Sequence, residues 1–169
     1  MPLKMISASF SITWLSHDAW SQTYVGTHKL LYDLLPASSA QLEDDDPSLC
    51  QLAFIGANHL MEVALAKVIL HCDPAYNMKD ARYHLDLTKT LPALIGKSPD
   101  LQTEPFRSTE KLRIRRNKTI HASSAVVSVE MARSAFYSAT HGSKALFDLV
   151  GKPFPYERFL AKRPLPEEP

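Results

Sequence analysis

The sequence is poor in glycine and cysteine, and its charges nearly cancel. It has five Gly against twelve Pro, and the prolines stand between periodic segments, which disfavours a hairpin-rich sheet. The two cysteines, Cys50 and Cys72, form no metal-binding spacing, and we expect both to be buried, reduced thiols. Nineteen basic and eighteen acidic residues give a formal charge of +1, so any attraction for a polyanion has to come from a local basic patch.

The sequence also predicts neither a secretion signal nor a membrane span. Serine and threonine residues interrupt the apolar N-terminal stretch, so we expect no secretion signal. No window is expected to approach the roughly 20 apolar residues that a membrane span requires. The expected location is therefore the cytoplasm, with no membrane partner.

Hydrophobic periodicity predicts an all-α protein, an up-and-down bundle of four to five helices in a single domain over residues 1–169. The predicted segments are 18–35, ended by Pro36; 49–71, capped by Ser48; a helix from Lys79, broken or kinked at Pro92; a helix starting near Pro105; and 124–150. The core covers about residues 18–150. The prolines of 151–169 predict a C-terminal tail, with a short turn around Tyr156 to Leu160 packed back on the body.

The segment 49–71 is apolar on nearly every face, which predicts the central helix of the bundle. Glu62 is one of its few polar residues, and burying a carboxylate is costly unless it is paired or lies at a cavity. Glu62 therefore pairs with a cation on a neighbouring helix, completes a buried polar network, or belongs to a functional site.

Cationic side chains cluster in "RIRRNKTIH", residues 113 to 121. An Arg followed five residues later by a His is a weak signal by itself. In one continuous helix, at roughly 100° per residue, Arg116 and His121 would lie about 140° apart, whereas Asn117 and His121 would share a face. Either the helix loosens between Arg116 and His121, or the two act together by way of a second molecule.

The local sequence allows the first alternative. Asn117 and Thr119 are weak helix formers. Ser123 and Ser124 are good caps for a new helix starting at about Ala125. His121 would then lie at the junction of two helices, near the surface of the bundle.

These residue types suit phosphodiester chemistry. A guanidinium binds phosphate oxygens through two donors, and an imidazole with a pKa of about 6.5 can move a proton at neutral pH. In RNA, the 2′-hydroxyl would be the internal nucleophile, His121 the base or the acid, and Arg116 the group that stabilises charge on phosphorus. This chemistry requires no metal. The scattered histidines share no helical face or carboxylate at metal spacing, and we assign none as a ligand: His59, His71, His84 and His141.

"RNKTIH" resembles the R-N-x-x-x-H signature of the HEPN superfamily, small helical-bundle proteins that include many metal-independent endoribonucleases. Asn117 follows the Arg, apolar Ile120 precedes the His, and the motif comes before the last long helix, as in the family. "GANHLMEVALAKVIL" is similar to the family's long helix with an acidic residue among aliphatic ones, which implies a supporting role for Glu62. Ala122 stands where the family often has Gly, which affects the tightness of the turn.

The resemblance implies a homodimer whose two motifs meet across a two-fold axis. Arg116 of one chain could then serve a site shared with His121 of the other. Two copies of the cationic residues of the stretch would form a cationic cleft: Arg113, Arg115, Arg116 and Lys118. Arg113, Arg115 and Lys118 are the candidate contacts to the RNA backbone, although taken alone these three are more typical of a solvated helix face.

The function implied is that of an endoribonuclease without a cofactor, a toxin or phage-defence effector with an antitoxin as a further partner. The alternative is a catalytically silent HEPN-like bundle that binds RNA, a nucleotide or a protein through the same surface. A structural dimerisation module is the third interpretation.

Overall fold

The computed structural model describes residues 19–39, 46–80, 83–121 and 126–169, apart from the side chains of residues 38, 39, 80 and 119–121, and in these ranges all regular elements are helical. The helices are α1, formed by Ala19–Lys29, the π-helical turn Leu30–Leu34 and Leu35–Ser39; α2, Pro47–Cys72; α3, formed by Tyr83–Leu85, the π-helical turn Asp86–Thr90 and Leu91–Ile95; α4, Phe106–His121; α5, Val129–Leu149; and α6, Glu157–Leu160. A short 3-10 turn, Met78–Asp80, precedes α3. The prediction of an all-α helical bundle is confirmed for the described residues.

Helix α2 is the centre of the bundle because it is apolar on nearly all sides. It packs mainly against α5 and α1 and also contacts α3 and α4. The cap of this helix is Asp46, whose carboxylate accepts from the backbone N–H groups of Ser48 at 2.8 Å and Leu49 at 3.4 Å. The prediction of Ser48 as the cap is wrong, because Pro47 already occupies the first helical turn.

Helix α2 is long and apolar enough to cross a membrane. The expectation that no part of the sequence would reach this length and hydrophobicity is therefore wrong. However, 67% of the qualifying window is buried inside the bundle, which is the pattern of the core helix of a soluble protein. Both cysteines lie in α2 as free thiols; Cys50 is buried as expected, whereas Cys72 in the last turn is only half-buried.

A π-helical turn comes before each of the prolines within α1 and α3. In both helices the N–H group of the leucine before the proline, Leu35 or Leu91, bonds to the carbonyl five residues earlier. A proline ring inside an α-helix clashes with the carbonyl four residues earlier, and a widened turn moves that carbonyl away. The prediction that Pro36 ends the first helix is therefore wrong, and at Pro92 the helix continues through the widened turn.

Arg133 of α5 binds the first of these widened turns. Its Nη2 donates to the carbonyl of Leu31 at 3.4 Å, and its guanidinium lies 5.1 Å from the centroid of the Tyr32 ring. These contacts join α5 to α1 at the position where the α-helical hydrogen bonding of α1 is interrupted.

The three- and four-residue spacing of the segment 124–150 predicts an apolar stripe facing the core, and α5 turns this stripe inwards. Six of its seven residues are buried: Val129, Ala132, Phe136, Ala139, Ser143 and Leu146. The seventh, Val150, follows the end of the helix and is only partly buried. The helix begins later than the predicted residue 124, because Ser128 is its cap and accepts from the N–H group of Met131 at 3.2 Å. The predicted caps Ser123 and Ser124 lie outside the described residues.

Helices α2, α4 and α5 approach closely at Gly142. A Cβ atom at this position would lie 2.5 Å from Cγ2 of Thr109 and 2.7 Å from Sδ of Met61. An added methyl group would require both side chains to shift, so Gly142 allows this close approach of the three helices.

The C-terminal tail packs against α1, as predicted. Trp20 is fully buried, and its ring stacks on Tyr156 at a centroid distance of 4.7 Å and meets Phe154 edge-on at 5.3 Å. The hydroxyl of Tyr24 donates to the carbonyl of Pro164 at 2.7 Å. Burial raises the pKa of Tyr24 to about 12, so the phenol remains a neutral donor. The other tryptophan of the sequence, Trp14, lies outside the described residues.

Candidate functional site

Helix α4 is continuous from Phe106 to His121, which rules out the first of the two alternatives, a helix that loosens between Arg116 and His121. Buried side chains such as Phe106 and Leu112 anchor α4 against the bundle. Packing of this kind outweighs the weak helix propensity of Asn117, which costs less than about 1 kcal/mol.

Apart from Leu112, residues 110–118 of α4 lie on two faces of the helix. At 100° per residue, one face carries Glu110, Arg113, Arg116 and Asn117, and the other carries Lys111, Ile114, Arg115 and Lys118. The first face meets side chains of α2 and α3, whereas the second lines a groove beside α5. The cationic stretch of the sequence therefore divides into two separate surfaces.

The first surface includes a polar cluster around Glu62, which we call the Glu62 cluster: Asn58, His59, Glu62, Arg116 and Asn117. Within α2, Oε1 of Glu62 accepts from Nδ2 of Asn58 at 3.0 Å, and Oε2 lies 3.4 Å from Nδ1 of His59. From α4, Nη2 of Arg116 lies 3.9 Å from Oε1 of Glu62. Glu62 therefore has both a cation beside it on a neighbouring helix, Arg116, and polar neighbours within α2. Its role as a site residue stays a prediction.

The guanidinium of Arg116 makes only part of the hydrogen bonds that it could donate. Nη1 donates to Oδ1 of Asn117 at 3.1 Å, but the buried Nε atom has no hydrogen-bond partner among the described residues. The side chain of Arg116 is 33% exposed and that of Glu62 is 24% exposed. An oriented and partly exposed guanidinium next to a carboxylate can bind an anionic oxygen from solvent.

Arg113 lies on the same face but is already paired. Its Nη2 lies 2.6 Å from Oε1 of Glu110 and its Nε lies 3.0 Å from Oε2, and these hydrogen bonds raise the pKa of Arg113. Nδ1 of His84 lies 3.3 Å from the same carboxylate. Next to them, burial raises the pKa of Tyr83. Arg113 is one of the predicted RNA contacts, and Glu110 of the same chain compensates its charge.

The second surface of α4 lines a groove of about 680 Å³ between α4 and α5, which we call the α4–α5 groove. Lys111, Arg115 and Lys118 line it from α4, and Glu130 is the acidic side chain in its lining. Ile114, 44% exposed, adds an apolar contact surface. The predicted RNA contacts Arg115 and Lys118 therefore lie together, on a locally basic surface of a nearly neutral chain.

His121 is the last residue of α4, one helical turn beyond Asn117, and its side chain lies outside the described part of the chain. Because α4 is continuous, positions 116 and 121 are about 140° apart around its axis. The continuous helix leaves one of the two alternatives from the sequence. Arg116 and His121 are predicted to act together by way of a second molecule.

Two members of the Glu62 cluster, Asn58 and His59, were not assigned from the sequence. They precede Glu62 by four and three residues in a strongly predicted helix, a spacing that places side chains next to one another. This spacing is the signal that could have identified them.

Among the described residues, the structure contains no group of three or more His, Cys, Asp or Glu side chains arranged to hold a metal ion.

Comparison of the chain with protein-family models, with curated proteins and with solved structures found no match. The HEPN resemblance stays a prediction that rests on "RNKTIH" and on the acidic residue of the long apolar helix.

Proposed function

We propose that the protein is a HEPN-like, metal-independent endoribonuclease. The observation that carries the proposal is the pairing of Arg116 with Glu62 in a partly exposed polar cluster, one turn before His121. The carboxylate and Asn117 orient the guanidinium, whose charge would stabilise the negative charge that develops on the phosphate oxygens in the transition state. In this role Glu62 is a positioning residue for Arg116.

The reaction needs only groups of the protein and of the RNA. The 2′-oxygen forms a bond to phosphorus and loses its proton to a base, while the bond from phosphorus to the 5′-oxygen breaks and that oxygen gains a proton from an acid. His121 serves as one of these proton carriers. The products are a 2′,3′-cyclic phosphate and a free 5′-hydroxyl.

The α4–α5 groove supplies the contacts to the RNA backbone. Arg115 and Lys118 line the groove and lie on the last two turns of α4, so RNA bound there would lead towards the end of the helix that carries the motif. Arg113 contributes little to binding, because Glu110 already compensates its charge. Such an enzyme would act in the cytoplasm as a toxin or defence effector, restrained by an antitoxin.

A homodimer is the expected active form. With positions 116 and 121 about 140° apart on one helix, a site that uses both side chains is best completed by a second copy, with the two His121 residues near the two-fold axis. Light scattering at micromolar concentration should give twice the mass of the 18.9 kDa chain. A monomer would contradict the shared site.

The function is tested by incubating the purified protein with total RNA in EDTA. Cleavage should persist in the chelator, and the products should end in a 2′,3′-cyclic phosphate, detected by mass spectrometry of a defined oligonucleotide. Loss of cleavage in EDTA would indicate a metal nuclease. Products with 3′-hydroxyl ends would exclude the internal nucleophile.

A second candidate function is RNA binding without cleavage. The separation of the α4–α5 groove from the Glu62 cluster favours it, because the groove can bind a polyanion without Arg116. An Arg115→Ala, Lys118→Ala variant should lose RNA binding under both functions. The two functions differ in cleavage: an enzyme cleaves RNA, and its Arg116→Ala variant loses cleavage and keeps binding. A protein that only binds RNA shows no cleavage as wild type.

A further inference from the structure

We propose that His59 is a second catalytic residue, the base that removes the proton from the 2′-hydroxyl, with His121 as the acid. The inference rests on the proposed ribonuclease function and assigns to α2 a part of the chemistry that the motif in α4 does not supply.

Cleavage through the 2′-hydroxyl involves two proton transfers, one to a base and one from an acid. The motif in α4 provides one imidazole per chain, at His121. The Glu62 cluster contains another imidazole, that of His59, next to the carboxylate that Arg116 approaches. One carboxylate thus connects the second imidazole to the proposed phosphate-binding guanidinium.

The contact between His59 and Glu62 sets the chemistry of the ring. An ionised carboxylate can only accept a hydrogen bond, so with Oε2 of Glu62 at 3.4 Å from Nδ1, Nδ1 is the nitrogen that carries the hydrogen. Nε2 is then the basic nitrogen of the neutral ring. The carboxylate also orients the ring, as the aspartate does in a Ser-His-Asp triad.

The exposure of the two side chains fits a shared substrate. The side chains of His59 and Arg116 are 30% and 33% exposed, so neither is sealed in the core. A phosphate bound by Arg116 would bring the adjacent ribose to the side of the cluster where His59 lies. Nε2 of His59 takes the 2′-proton as the 2′-oxygen bonds to phosphorus, and His121 protonates the departing 5′-oxygen.

Two substrates separate the base from the acid. The dinucleotide UpA needs both, whereas uridine 3′-(4-nitrophenyl phosphate) has a leaving group that departs without an acid. His59→Ala should slow both reactions by about 100-fold or more, and His121→Ala should slow only UpA cleavage. His71→Ala is the matched control, because His71 is an exposed histidine in the last turn of the same helix, and it should leave both rates unchanged.

Chemical rescue distinguishes a base from a structural residue. Free imidazole should restore the His59→Ala reaction, which a purely structural role would not allow. If the alanine variant fails to fold, His59→Asn keeps a donor for Glu62 and removes the base, and it should be folded and slow on both substrates.

The outcomes separate the two proposals. A folded His59→Ala or His59→Asn variant as fast as His71→Ala would overturn the role of His59 and leave the ribonuclease proposal standing. Slow cleavage of UpA alone would make His59 the acid and overturn its assignment as the base. A wild-type protein that cleaves neither substrate would overturn both proposals.

Discussion

Replacing Arg116 with alanine is expected to lower kcat/KM for RNA cleavage by at least about 100-fold, the usual effect of removing one preorganised donor to a developing oxyanion. Arg113, the other arginine on the first face of α4, is paired with Glu110 and does not replace Arg116. The measurement is the initial rate of cleavage of a defined oligonucleotide in EDTA. Arg158→Ala, an exposed arginine in α6, is the control and should keep the wild-type rate.

The same replacement should change the free energy of unfolding by less than about 1 kcal/mol. The ion pair with Glu62 is long and partly exposed, and such pairs contribute little to stability. Alanine also removes the buried Nε atom that has no partner among the described residues. If instead stability fell by several kcal/mol and the cleavage rate fell only with the folded fraction, Arg116 would be a structural residue and the proposed site would be wrong.

Replacing Trp20 with alanine is expected to lower the free energy of unfolding by about 3–5 kcal/mol, as for other large-to-small core changes. The indole is fully buried between α1 and the tail and touches Tyr156 and Phe154. Its Nε1 donates to Oγ of Ser143 in α5 at 3.1 Å. A loss of this size is a large part of the total stability of a typical domain, about 5–15 kcal/mol. Urea unfolding followed by circular dichroism measures it.

Trp20→Phe is the matched control for that experiment. It keeps most of the ring contacts and removes the hydrogen bond to Ser143, so it should cost about 1–2 kcal/mol. A loss below about 1 kcal/mol for Trp20→Ala would show that the tail and α1 do not form a common core.

Most of the helices could be predicted from the sequence because their periodicity is strong. The apolar segment 49–71 and the stripe from Val129 to Leu146 appear in the structure as α2 and α5. The boundaries were less predictable. A cap depends on which polar residue precedes the first turn, and at α2 Asp46 rather than Ser48 takes that position.

The errors at the other helices share one cause. Local propensity gave the predicted stop at Pro36 and the alternative of a loosened helix after Arg116, but packing decided both positions. At Pro36 a widened turn accommodates the ring, and α4 stays helical through Asn117 because its apolar face is anchored in the bundle.

The candidate site was only partly predictable. The resemblance singled out Arg116, Asn117, His121 and Glu62, but their contacts depend on how α2 packs against α4, which no local pattern encodes. The division of α4 into two faces, by contrast, follows from 100° per residue, so the groove residues Arg115 and Lys118 could have been separated from Arg113 before the structure was known.

The widened turns of α1 and α3 also limit how the length of the chain can change over evolution. A π-helical turn holds one residue more than an α-helical turn, so deleting one residue from Leu30–Leu34 or Asp86–Thr90 could leave a regular helix with its flanking faces in register. A deletion elsewhere in these helices would rotate all later side chains by about 100°. The regular turn, however, would bring the proline ring against a carbonyl. Homologous chains with such a deletion should therefore also have replaced Pro36 or Pro92.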